Sequence, residues 1–147
     1  MTDLDAFSGL IARNHGLVVV SALRPDDTIQ SSVVNAGVLD HPVTGEPVVG
    51  LVSQGNARRL TYLRARPRAT VVARADWSWV AAEGPVQLVG PDDPAEGVDS
   101  ERLRLLLREI FTAAGGTHDD WDTYDAVMAR ERRTAVLVTP DRVYPGA

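Results

Sequence analysis

The chain has 147 residues, 44% of them apolar and 24% charged, which bounds a single globular domain over 1–147 with enough apolar content for a core. Its formal charge of −5 argues against a nucleic-acid partner, and the lack of cysteine excludes disulfides, thiolate metal sites and a cysteine nucleophile. The three histidines (His15, His41, His118) have no metal-ligand spacing, no stretch is apolar for 18 residues, and no basic leader opens the chain, so we expect no metal, no membrane and a cytoplasmic location.

In chain order, Asp3 or Asp5 caps a predicted helix running to Arg13, with Leu4, Phe7, Leu10 and Ile11 on one face. LVVVSAL, 17–23, reads as a buried strand, RPDDT as a turn and 29–39 as a second strand, together a hairpin. HPVTGEP turns the chain into a third strand at 48–53. Gly55 and Asn56 open a helix that Pro67 ends, and ATVVAR, 69–74, is a fourth strand. WSWVAAEGPVQLV, 77–89, predicts a long fifth strand with a bend or bulge at Gly84-Pro85. On that strand Trp77 and Trp79 share a face, either as a packed pair or with Trp79 lining a ligand pocket. Residues 100–114 form an amphipathic helix with Leu103, Leu106, Leu107, Ile110 and Phe111 inward. Asp119 or Asp120 caps a further helix at 121–130, with Trp121 and Tyr124 packing inward, and 134–143 closes the chain as one strand. Short connections among the strands favour an antiparallel sheet or barrel with peripheral helices, a mainly β fold with α.

All fifteen basic residues are arginine, and five of them fall in SQGNARRLTYLRARPR, Ser53–Arg68. Arg58 and Arg59 stand in the first turn of the predicted helix, where free N–H groups and the dipole already gather positive potential. For an empty helix that placement costs roughly 0.3–1 kcal/mol per charge, whereas with an anion bound it is favourable. Ser53, Gly55 and Asn56 are small and polar, so a phosphate oxygen can come close. Two readings stand: a phosphate cradle, or a solvated arginine face. Arg64, Arg66 and Arg68 lie at the other end and read as helix-end and surface charge.

Four stretches then carry a family resemblance: LVVVSALRPDDTIQSSVV, RRLTYLRARPRATVV, WSWVAAEGPVQLVG and GGTHDDWDTYDAVMARERRTAVLVTPDRVYP. In their order and spacing the chain resembles the pyridoxamine 5'-phosphate oxidase-like split-barrel proteins, in particular the small actinobacterial branch that uses the deazaflavin coenzyme F420. The resemblance implies a six-stranded split β-barrel of the FMN-binding type, a homodimer with cofactor sites at the subunit interface, and a phosphate held where strand 3 meets the next helix. It places Ser53 and Arg59 on that phosphate, with Arg58 and Asn56 beside it, and Gln30, Ser31, Ser32 and Val33 near the ring. The activity implied is hydride transfer from reduced F420 to a conjugated small-molecule acceptor. FMN-dependent oxidoreduction and non-catalytic F420 binding are the alternatives. No catalytic side chain is assigned, since Tyr62 and solvent are equal candidates for the proton. No Ser–His–Asp set or carboxylate pair suits hydrolysis, and a cofactor that carries the hydride itself needs none.

Overall fold

A computed structural model describes residues 4–146. In it α1 (Asp5–Arg13) leads into β1 (Leu17–Leu23), β2 (Ile29–Asp40) and β3 (Pro47–Ser53). Helix α2 (Arg58–Ala65), β4 (Arg68–Ala75) and β5 (Ser78–Val89) follow, then α3 (Ser100–Ala113), α4 (Trp121–Arg130), β6 (Thr134–Val138) and β7 (Arg142–Gly146). Every strand pairing is antiparallel. The order β1-β2-β3-β6-β5-β4 closes on itself through β4–β1, giving a six-stranded barrel with β7 added along β5.

Two long strands create the split. β2 pairs with β1 up to Asn35 and with β3 from Ala36. β5 pairs with β7 through Glu83 and with β6 from Val86, so Gly84-Pro85, expected as a bend, is where it changes partner. Inward positions alternate along each strand, as the two-residue period of a pleated strand requires. Val18, Val20, Leu51, Val71, Ala73, Val80 and Val136 thus fill one core cluster. Leu60 and Leu63 of α2 and Phe7, Leu10 and Ile11 of α1 join that cluster. α1 precedes the start of β1 and α2 the start of β4, and these strands are antiparallel neighbours, so the helices sit at opposite ends of the barrel.

A second cluster lies outside the barrel wall, where Leu106, Leu107 and Ile110 of α3 and Tyr124 of α4 cover Val48, Ala135 and Leu137. Asp99 and Asp120 cap the two helices by accepting from Arg102 N (2.8 Å) and Thr123 N (3.1 Å). Phe111, His118, Trp121 and Tyr124 form one ring cluster, and Arg108 sits 5.1 Å over Trp121. The Tyr124 hydroxyl donates to Leu107 O at 3.0 Å, and burial pushes its pKa up to about 12.

Asp125 ties α4 to α3 by accepting from both Arg104 and Arg108. Asp125→Asn is expected to cost about 1–2 kcal/mol at neutral pH, read from urea unfolding. The Arg108 and Arg104 hydrogen bonds hold the Asp125 carboxyl below its ordinary 3.8. Its stabilisation is therefore present above the ordinary value and lost as pH falls through the depressed one, so the gap between wild type and variant closes in strong acid.

Four expectations are corrected. The last strand is two, β6 and β7: Pro140 has no N–H to give a ladder, and around it the chain crosses from β6's place to the other half of β5. Trp77 is not in a strand. It and Asp76 make the two-residue turn of the β4–β5 hairpin, with Asp76 at φ 54°, and Trp77 is 90% exposed. The helix after β3 begins at Arg58 rather than at Gly55-Asn56, with Ala57 as its N-cap. Leu4, not Asp5, is the N-cap of α1, and Asp3 lies outside the described residues. No helix among the described residues is long and apolar enough to cross a membrane.

Candidate functional site at the barrel split

Where β2 leaves β3, two things are exposed at once. Residues 29–35 of β2 pair with β1 on one side only, so their second edge carries backbone N–H and C=O groups with no strand of the described residues beside them. Across the gap, β3 runs on past its last β2 partner, Leu51, to Val52 and Ser53, held there by β6.

Arg59 bridges this gap. It is the second residue of α2, and its guanidinium reaches back into the split. Nη1 donates to Ser53 Oγ at 3.0 Å and Nη2 to Ser32 Oγ at 2.6 Å. Its Nε is buried and has no hydrogen-bond partner. Burial pushes the guanidinium below its ordinary pKa, with no carboxylate to offset it. A desolvated cation with a free donor is an unfavourable arrangement in an empty site, and an arriving anion relieves it. Each serine accepts from Arg59 and keeps its own O–H to donate. This donor set fits a phosphate.

The other arginines sharpen the contrast. Ten of the fifteen lie within 4.0 Å of a carboxylate. They include Arg64 with Asp93 (2.7 Å), Arg66 with Asp27 (2.6 Å) and Arg68 with Asp141 (2.7 Å). Exposed pairs of this kind contribute little stability but do occupy the charge. The front of the segment is different: Arg58 is exposed and has no partner among the described residues, and Arg59 has only hydroxyls.

The structure thus brings Ser32, Ser53 and Arg59 together. Gln30 and Ser32 face the same way on β2 and are half-buried, while Ser31 and Val33 face outward, Val33 65% exposed. Ser31 Oγ lies 2.8 Å from Ser21 Oγ on β1. Asn56 is exposed in the β3–α2 loop, away from the Arg59 head, and lines a separate cavity. Trp79 is on the outer face of β5, edge-on to Tyr144 with centroids 6.3 Å apart. The Ser32–Arg59 bond spans 27 positions, and nothing local in the sequence signals it.

A barrel closed by six antiparallel strands, divided where β2 and β5 change partners, is the split barrel of FMN-binding proteins. No family model matches the chain. Solved structures share the fold at low identity. A pyridoxamine 5'-phosphate oxidase-related, FMN-binding protein of Nostoc punctiforme superposes with a TM-score of 0.69 at 11% identity, over 99% of this chain and 84% of that one. A conserved hypothetical protein of Mycobacterium tuberculosis gives 0.66 at 14%, over 99% and 84%. A protein described as an F420 reductase gives 0.61 at 14%, over 93% and 94%. At these identities the likeness establishes the split-barrel fold of the pyridoxamine 5'-phosphate oxidase-like proteins for this chain.

Proposed function

We propose that the protein is a reductase dependent on coenzyme F420, acting on a conjugated small-molecule acceptor. The observation that carries the reading is Arg59, held between Ser32 and Ser53 in the barrel split with its Nε unpartnered. A phosphate bound there takes the free Nε–H and the serine hydroxyls, and Arg58 adds unpaired charge at the helix start. The open β2 edge along 30–33 offers backbone donors and acceptors to the polar rim of a planar ring, with Gln30 and Ser32 beneath it. When bound, such a cofactor supplies the hydride. The protein's part is to anchor the phosphate, fix the ring against β2 and exclude water. The shared fold with an F420 reductase supports this reading, and the shared fold with an FMN-binding protein supports FMN as the second one. Titration of the purified protein with oxidised F420 and with FMN, followed by fluorescence, separates them. Clear affinity for FMN with none for F420 overturns the proposal.

The same reading includes a homodimer. The outer faces of β1 and β2 expose Leu17, Val19 and Leu23 beside Ile29 (64%) and Val33 (65%), with Val19 opposite Val33 and Leu23 opposite Ile29. No helix among the described residues covers that apolar face, as the clusters of α1, α2, α3 and α4 lie elsewhere. Val33→Glu should then turn a dimer into a monomer in light scattering while leaving the far-UV spectrum intact. A wild-type monomer at micromolar concentration refutes the dimer.

A further inference from the structure

The turn that follows β5 carries two adjacent carboxylates, Asp92 and Asp93, and each holds an arginine. Its ends are joined by two backbone hydrogen bonds of 3.0 Å, Gly90 N to Asp93 O and Asp93 N to Gly90 O. Gly90 lies flat against β6, since a Cβ there would stand 2.4 Å from Thr134 Oγ1. Thr134 is buried and is the β6 partner of Ser53. Ser53, Thr134 and Gly90 thus follow one another from β3 to β6 to the end of β5, and the turn stands behind one wall of the cradle.

From this turn the two carboxylates reach both flanks of the segment that carries Arg59. Asp93 accepts from Arg64 Nε at 2.9 Å and from Nη2 at 2.7 Å, a two-pronged hold on the far end of α2. Asp92 accepts from Arg132, whose backbone lies against the loop before α2: a Cβ at Gly55 would meet Arg132 O at 2.6 Å. Arg64 differs from the other arginines at this end of the segment. The Asp93 side chain is only 15% exposed, against 78% for Asp27 and 50% for Asp141. The start of α2 has no comparable hold of its own, because its N-cap is Ala57 and its first turn has no acidic residue. Leu60 and Leu63 seat the helix in the core, and the Arg64–Asp93 tie fixes how it is turned.

That turn decides where Arg59 points. A shift of about 1 Å in α2 takes Nη1 and Nη2 out of hydrogen-bond range of Ser53 and Ser32. We infer that Asp93 is a positioning residue of the phosphate cradle, which acts through Arg64 to aim Arg59 into the split. The inference rests on the proposed function and adds to it a residue that touches no ligand.

The sign of the effect separates position from charge. A carboxylate that acted only through its field would oppose an anion, and its removal would strengthen phosphate binding. A carboxylate that positions Arg59 weakens phosphate binding when it is removed. Calorimetric titration with two ligand pairs reads this without turnover: FMN against riboflavin, and F420 against the same deazaflavin without its phosphate. Wild type is expected to prefer the phosphate-bearing member. In Asp93→Asn that preference should fall about three- to tenfold, the range of coupling within one contact network. Affinity for the phosphate-free member should hold, which also shows that the variant is folded. Asp93→Glu should recover part of the loss, and Asp93→Asn should cost nothing further in an Arg59→Met background. An Asp93→Asn protein whose phosphate preference is unchanged or raised, or which binds both members equally less well, overturns the positioning role and leaves the proposed function standing. The same fall seen with the FMN pair alone, with no binding of F420, keeps the role of Asp93 and overturns the choice of F420. A wild type with no phosphate preference, or with no affinity for any of the four, sinks the cradle and Asp93 together.

Discussion

Arg59→Met is expected to bind oxidised F420 about 10- to 100-fold more weakly than wild type, yet to unfold at the same or a higher temperature. The first half follows from the lost charge-assisted hydrogen bonds, about 1.5–3 kcal/mol in binding. The second follows from what Arg59 does in the empty protein. Its guanidinium is partly desolvated, faces hydroxyls rather than a carboxylate, and leaves Nε unpartnered. Replacing it with an apolar side chain of similar length removes that burden and packs beside Leu60 and Leu63. Binding and stability moving in opposite directions mark a residue kept for a ligand. Arg66→Ala is the control: that arginine pairs with Asp27 on the surface, and its loss should leave the affinity within about twofold. A loss of both stability and binding in Arg59→Met, or equal binding losses in the two variants, would show that Arg59 is a structural cation.

Much of this arrangement is legible in the sequence, for reasons that differ by element. β1 and β3 announce themselves by runs of β-branched residues, and α3 by its apolar stripe, because local pattern and burial agree there. The functional split of the arginines in Ser53–Arg68 is also readable from position in the helix, since the dipole makes the first turn and the last turn chemically unlike. The failures are places where a partner distant in sequence decides. The 134–143 run has the composition of one strand, but the register with β5 cuts it at Thr139. Trp77 has strand propensity, but the Ala75–Ser78 pairing makes it a turn residue. At the site, Ser53 and Arg59 are six positions apart and read together as one cradle, while Ser32 joins them only through barrel closure, which no local pattern signals.

Gly84→Ala is expected to cost about 3 kcal/mol or more, although it adds one methyl group to a strand. The φ at this glycine is ordinary; the cause is space. A Cβ here would stand 2.0 Å from Thr139 O and 2.9 Å from Asp141 N, both backbone atoms with no rotamer to yield. Those atoms are fixed by the hydrogen bonds that hand β5 from one partner to the next, Asp141 N to Glu83 O at 2.9 Å and Thr139 N to Pro85 O at 3.0 Å. The strain of overpacking therefore falls on the crossing between β6 and β7, and to relieve it the chain must give up one of the two ladders. Gly9 is the matched comparison. It lies exposed within α1 with nothing within 4 Å of its Cβ, so Gly9→Ala should stabilise by about 0.5–1 kcal/mol through helix propensity. Urea unfolding of the two variants reads both effects on one scale. The consequence reaches the site, because β6 also holds Ser53 in place through its pairing with Thr134. If Gly84→Ala folds at all, loosening β6 should weaken cofactor binding although the substitution touches none of the residues in the split. A Gly84→Ala protein as stable as wild type would mean that the β6–β7 crossing is not a fixed point of the barrel.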